Sequence, residues 1–161
     1  MKISKKLTDA LNSQLGHELI ASHIYMSMAV YFNSLELKRL SDEFFRQAAE
    51  EREHALKFMH YMMEVGADIE IPAIDKPKKD FESVLQAFEL ALAWEQEVTA
   101  RINAMMDIAK EDKDYAAQGM LQWFINEQVE EEATMSRFIA LAKALEKHNI
   151  FMIENLVAHK D

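Results

Sequence analysis

The chain contains no cysteine, only three glycines and two prolines, and far less positive than negative charge. Without cysteine there are no disulfides, zinc ribbons, iron–sulfur clusters or thiol nucleophiles, as expected of a protein kept in a reducing cytosol. So few glycines and prolines cannot supply the turns of an all-β chain. With 18 Lys and Arg against 28 Asp and Glu the net charge is −10, so nothing offsets phosphate repulsion and nucleic acid is excluded as a partner. An acidic surface attracts cations instead. No apolar run approaches the ~18 residues of a membrane span. The opening "MKISKKLTDALNSQ" has lysines with no apolar stretch behind them. It therefore predicts no signal peptide, and a cytoplasmic location.

What remains is helix-forming. Half the residues are apolar, and Ala, Leu, Met, Glu and Lys dominate. The period predicts one all-α domain over residues 1–161 with four long helices: Ser4 to Asn33, Ser41 to Val65, Phe81 to Lys110 and Tyr115 to Leu145. Ser4 and Ser41 are the expected N-caps, and Gly66 occupies the position just past a helix end. "NIFMIENLVAH", residues 149–159, closes the chain as a short fifth helix. Short links at 34–40 and 111–114 make each neighbouring pair antiparallel. Residues 67–80 hold both prolines and reach ~45 Å if extended, enough to run the length of a bundle. Ile69 and Ile71 alternate weakly there, a faint strand pattern.

Positions seven apart nearly eclipse on a helix that turns ~100° per residue. On that basis each helix interrupts an apolar stripe with a polar group. Glu18 lies between Leu11 and Tyr25, Glu51 between Phe44 and Phe58, and Glu95 between Phe88 and Ile102. Gln128 lies between Leu121 and Met135, and Glu131 between Phe124 and Phe138. Glu53, flanked by Arg46 and His60, reads as surface. The spacing repeats: 33 residues separate Glu18 from Glu51 and Glu95 from Gln128, and the second set follows the first by 77. Each half thus places one carboxylate on its first helix and an i, i+3 pair on its second, Glu51/His54 and Gln128/Glu131.

Four buried carboxylates cannot share a core without counter-charge, because each costs several kcal/mol or gives up its ionisation. No core-facing Lys or Arg is available. Two divalent cations balance the four charges, and carboxylates with one imidazole suit iron or manganese better than calcium. Glu50, Glu127 and Glu130 adjoin this set and form either a solvated rim or a third cation site. Tyr25, two turns from Glu18, either donates a hydrogen bond to a ligand or fills core.

The words "HELIASHIYMSMAVYF", "RQAAEEREHALKF", "LAWEQEVTARI" and "LQWFINEQVEEEA" resemble the non-haem bacterial ferritins along essentially the whole chain. The resemblance implies a ferritin-like four-helix bundle with one long crossover. It implies a ferroxidase that oxidises Fe(II) with O2 or H2O2 and deposits ferric oxide mineral inside a homo-oligomeric shell of 24 copies. By the family pattern Glu18, Glu51 and His54 hold one iron, and Glu51, bridging, with Glu95 and Glu131 holds the second. Gln128 hydrogen-bonds near the oxygen-binding side, and Tyr25 matches a tyrosine kept beside the centre. Glu50, Glu127, Glu130 and Glu131 resemble a third iron site. Glu111, Asp112 and Asp114 are candidates for iron entry. Haem is not expected: Arg52 follows Glu51 where haem-containing relatives carry Met, and Gln128/Glu131 replaces their second Glu-x-x-His. No glycine precedes the last helix, unlike many family members. The alternatives are a metal-free helical scaffold and a rubrerythrin-like peroxide-scavenging di-iron protein, which usually needs the cysteines this chain lacks. A DNA-protecting mini-ferritin fits neither the intrasubunit pattern nor the acidic charge.

Overall fold

A computed structural model describes residues 3–146 and 148–157. Four long helices, α1 (Lys5–Ser34), α2 (Lys38–Glu64), α3 (Val84–Glu111) and α4 (Tyr115–Leu145), are followed by a 3₁₀ helix, Ile150–Asn155. There is no strand among the described residues. The expected fifth helix is thus present as this six-residue 3₁₀ segment, and the part of that expectation beyond Val157 lies outside the described residues.

Local chemistry sets the helix ends. Ser4, Ser83 and Asp114 each accept a backbone N–H of the first turn, from Leu7, Gln86 and Ala117 at 3.2, 3.0 and 3.0 Å. Such a cap contributes about 1 kcal/mol. The helix expected to begin at Ser41 begins instead at Lys38, and Ser41 is not its cap. Its buried hydroxyl donates to the Ala29 carbonyl at 2.8 Å and ties α2 to α1. The missing cap comes from far away in sequence. Glu154 of the 3₁₀ segment accepts from the backbone N–H groups of Arg39 and Leu40 at 2.7 and 3.0 Å, a negative group at a helix N-terminus. The third helix starts at Val84, three residues later than the periodicity suggested, because Ser83 takes the cap position.

α1, α2 and α3 end in the same way. The N–H just past the left-handed residue returns five residues back: Leu37 to Phe32, Ala67 to Met62, and Asp114 to Ala109. Gly66 serves as the left-handed residue once, but Glu36 and Lys113 do so at φ 61° and 56°. The first and third of these ends make the tight turns that fold α1 onto α2 and α3 onto α4 in antiparallel pairs.

Residues 65–83 form the crossover. Ile69 and Ile71 find no partner strand. The Asn12 side chain takes the strand's place, donating to the Asp68 carbonyl at 2.8 Å and accepting from Glu70 N–H at 2.9 Å. Pro72 lies so close to α1 that a Cβ at Gly16 would stand 3.2 Å from its ring.

The core is in two parts. One end of the bundle is aromatic, with Phe32, Phe44, Phe88 and Phe138 in mutual contact beneath Tyr25. The other is largely aliphatic around Leu7, Leu11, Ile102 and Leu121, with Phe58 stacked on Phe124 at 4.0 Å. A polar layer separates them. No described helix is long and apolar enough to cross a membrane.

Candidate metal centre

Glu18, Glu51, His54, Glu95, Gln128 and Glu131, contributed by all four helices, are buried in this layer, each at most 4% exposed. They stand where the stripes placed them because a polar residue seven from two core positions shares their face. Glu18, Glu51 and His54 bring ligand atoms within 4.8 Å of one another, and so do His54, Glu127 and Glu131. His54 belongs to both groups. Its Nδ1 is 3.4 Å from Glu51 Oε2, and its ring meets the edges of Trp123 and Phe124.

The charge problem posed by the sequence is present in the geometry. Glu18 Oε2 and Glu51 Oε1 are buried with no hydrogen-bond donor among the described residues. Burial pushes the Glu18 and Glu51 carboxyls well above the usual range, and neighbouring carboxylates push them further. Burial, with Glu95 and Glu50 nearby, raises Glu131 to about 8. Such a set is reconciled either by protons or by cations, and carboxylate oxygens gathered within 4.8 Å of an imidazole are suited to hold a cation.

Glu95 is occupied differently. It accepts from the Tyr25 hydroxyl and from Gln128 Nε2, the latter at 3.1 Å. Burial raises it, and these two donors counteract part of the rise. Tyr25 is fully buried, and burial with the Glu95 charge holds its phenol well above the ordinary range. Tyr25 therefore fills core and donates at once.

The second acidic set divides. Glu127 joins His54 and Glu131, whereas Glu50 is bound to Arg46 at 2.6 Å and Glu130 is exposed. The turn acids are engaged within the chain. Glu111 pairs with Lys6 at 2.8 Å, Asp112 accepts from Ser4 at 2.5 Å, and Asp114 caps α4. A cleft of about 660 Å³ between α2 and α4 reaches His54 past Lys57, His60 and Trp123.

Two residues not singled out from the sequence belong to the site. Gln14, fully buried, donates to Glu18 Oε1 at 2.8 Å. Gln47, also buried, approaches Glu131 Oε2 at 3.3 Å. A signal existed: Gln14 interrupts the stripe from Leu7 to Ala21, Gln47 lies between Leu40 and His54, and each is four residues ahead of a buried glutamate.

A family model described as a ferritin-like domain matches residues 8–145. The chain belongs to the ferritin family. Bacterial non-heme ferritin of Staphylococcus aureus (strain MRSA252) is 44% identical over 137 residues, 85% of this chain and 82% of that one. That of Staphylococcus haemolyticus is 42% identical over the same length. Among solved structures, an open pore ferritin from the hyperthermophilic archaeon Archaeoglobus fulgidus superposes with a TM-score of 0.94 at 33% identity, covering 99% of this ferritin and 100% of that chain. A humanized archaeal ferritin gives 0.94 at 34% identity, covering 99% of each. The resemblance in the sequence words and the four-helix fold thus stand on independent comparisons, and iron storage is the function common to the family.

Proposed function

We propose that this ferritin is a ferroxidase whose substrate is Fe(II). Glu18, Glu51 and His54 bind one ion, and Glu51, bridging, with Glu95 and Glu131 binds the other. Two Fe(II) give one electron each, and O2 with two protons becomes H2O2, or H2O2 with two protons becomes two waters. The Fe(III) passes to a mineral inside a homo-oligomeric shell of 24 copies.

The observation that carries this reading is the pair of buried carboxylate oxygens without a protein donor, Glu18 Oε2 and Glu51 Oε1, on two residues whose ligand atoms gather with those of His54 within 4.8 Å. A metal-free scaffold would pay for that layer and gain nothing from it. Glu95 must turn from Gln128 to reach a cation, while Tyr25 remains placed to donate to whatever oxygen then faces it. Gln128 stays beside the oxidant. Glu127 with His54 and Glu131 offers a further cation position towards the α2–α4 cleft, and Glu50 and Glu130 extend it if Arg46 releases Glu50.

Stopped-flow oxidation of Fe(II) in air tests the assignment. Wild type should oxidise two Fe(II) per chain in a fast phase that folded Glu18→Ala and His54→Ala variants lack; equal rates would refute it. Native mass measurement before and after iron loading reads shell and cargo together.

A further inference from the structure

Two carboxylates of the centre are connected to the protein surface by the same order of groups. Gln14 donates Nε2–H to Glu18 Oε1 at 2.8 Å, and its carbonyl accepts from Arg101 Nε at 2.7 Å. Arg101 Nη2 is anchored on Ser13 Oγ at 2.6 Å. Gln47 lies 3.3 Å from both Glu131 Oε2 and Arg46 Nη2, and only with its nitrogen towards the first and its oxygen towards the second can both contacts be hydrogen bonds. Arg46 in turn grips Glu43 through two nitrogens and Glu50 through a third. Both arginines keep about a third of the side chain in solvent, 30% for Arg101 and 37% for Arg46, so neither charge is buried with the acids.

We propose that Arg101–Gln14 and Arg46–Gln47 are positioning relays, each holding one carboxylate of the metal centre and each setting the cation affinity of its own subsite. The inference rests on the metal-binding reading above. Its physical basis is the polarity of the amide. A guanidinium has donors only, so it accepts nothing and can take only the amide's oxygen. The amide nitrogen is thereby turned towards the carboxylate. Without the arginine the amide is free to flip and oppose the carboxylate with its own oxygen. The charge also polarises the chain of hydrogen bonds, strengthening each. At Glu18 the result is a division of labour: Oε1 is taken by Gln14 and Oε2 is left without a donor, on a residue grouped with Glu51 and His54 at ligand distance. The α1 relay is the shorter at both links, so its subsite is the more strongly held.

Co(II) added to the intact metal-free protein, followed by its visible ligand-field bands and by calorimetry, tests this. Wild type should take two Co(II) per chain, and Glu18→Ala identifies the step belonging to the Glu18 subsite. Gln14→Met, which keeps the volume and removes the amide, should weaken that step by roughly 10-fold or more, the size usual for outer partners of metal ligands, and leave the other step unchanged. Gln47→Met should weaken the other step by a smaller factor. Arg101→Gln, changed at the solvent end where packing is least disturbed, should weaken the same step as Gln14→Met, and the double variant should be no worse than Gln14→Met alone. Wild-type affinities in Gln14→Met, or independent additive losses in the double variant, would overturn the relay. Absence of Co(II) uptake by wild type would overturn the metal-centre reading itself.

Discussion

The α1–α2 pair and the α3–α4 pair carry the same spacing of polar residues and use it differently. The first pair completes a three-ligand group by itself: Glu18, Glu51 and His54. The second cannot, because Glu131 stands where an imidazole would and Glu95 is tied to Gln128 and Tyr25. Its group forms only by borrowing His54 from α2. The supports are uneven as well. Gln14 and Gln47 both come from the first pair, and the corresponding positions of the second, Ala91 and Phe124, are buried apolar core. Repetition places the side chains at one level; the neighbours decide which of them is free to bind.

The strongest way to break the comparison is at the residue both halves need. Glu51→Ala removes the expected bridge and should cut Fe(II) oxidation by at least ~100-fold, no less than the upper range for an outer partner of a metal ligand, as measured by stopped flow. A small loss would mean that each half works alone.

Stability against pH separates protons from cations as the groups that reconcile the acids. Burial raises Glu131 from 4.5 to about 8, and raises Glu18, Glu51 and Glu95 too. Between those limits the folded chain holds protons the unfolded chain has released. The stabilisation is therefore complete below the unfolded value and is lost as pH rises through the folded one. At ~1.4 kcal/mol per pKa unit, the metal-free protein should lose a few kcal/mol between about pH 5 and pH 8, read by urea denaturation. Saturating Zn(II) should flatten the profile. A metal-free profile that is already flat would show that the buried acids are ionised throughout.

Making the halves alike sharpens the contrast. Gln128→Glu with Glu131→His creates a second Glu-x-x-His and should tighten the weaker Co(II) step by about 10-fold or more, at least the effect of an outer partner of a metal ligand; calorimetry would report it, and an unchanged step would place the asymmetry elsewhere. Tyr25→Phe frees Glu95 of one donor and keeps the ring in its core. It should change oxidation only a few-fold, about the worth of one hydrogen bond, with both Co(II) steps retained. The smallest effect lies at the turns. Lys113→Gly and Glu36→Gly remove a left-handed non-glycine residue and should each raise stability by about 1 kcal/mol or less, leaving iron oxidation untouched; lower melting temperatures would count against the strain.

Much of the centre was legible because helical period and burial are coupled. A glutamate seven residues from two phenylalanines shares their face whatever the rest of the chain does, so Glu18, Glu51, Glu95 and Glu131 could be placed without coordinates. The α2 start could not be placed in the same way. Ser41 has the chemistry of a cap, and only the arrival of Glu154 from the chain's far end shows that the helix is capped three residues earlier. Asn12 holding the crossover is equally non-local. Arg46, named from the sequence only as a neighbour of Glu53, is bound to Glu50 and stands 3.3 Å from Gln47.

By itself, then, the order of residues determined the number of helices, the long crossover and the buried acidic layer with its excess of negative charge. These follow from periodicity and charge, which are properties of positions along one helix. The tertiary structure alone decided which oxygens are left without a donor, that His54 serves both groups, and that two surface arginines reach the centre through glutamines. Those are distances of a few ångströms between atoms far apart in the chain, and a repeat in sequence sets levels in a bundle, not the orientation of an amide.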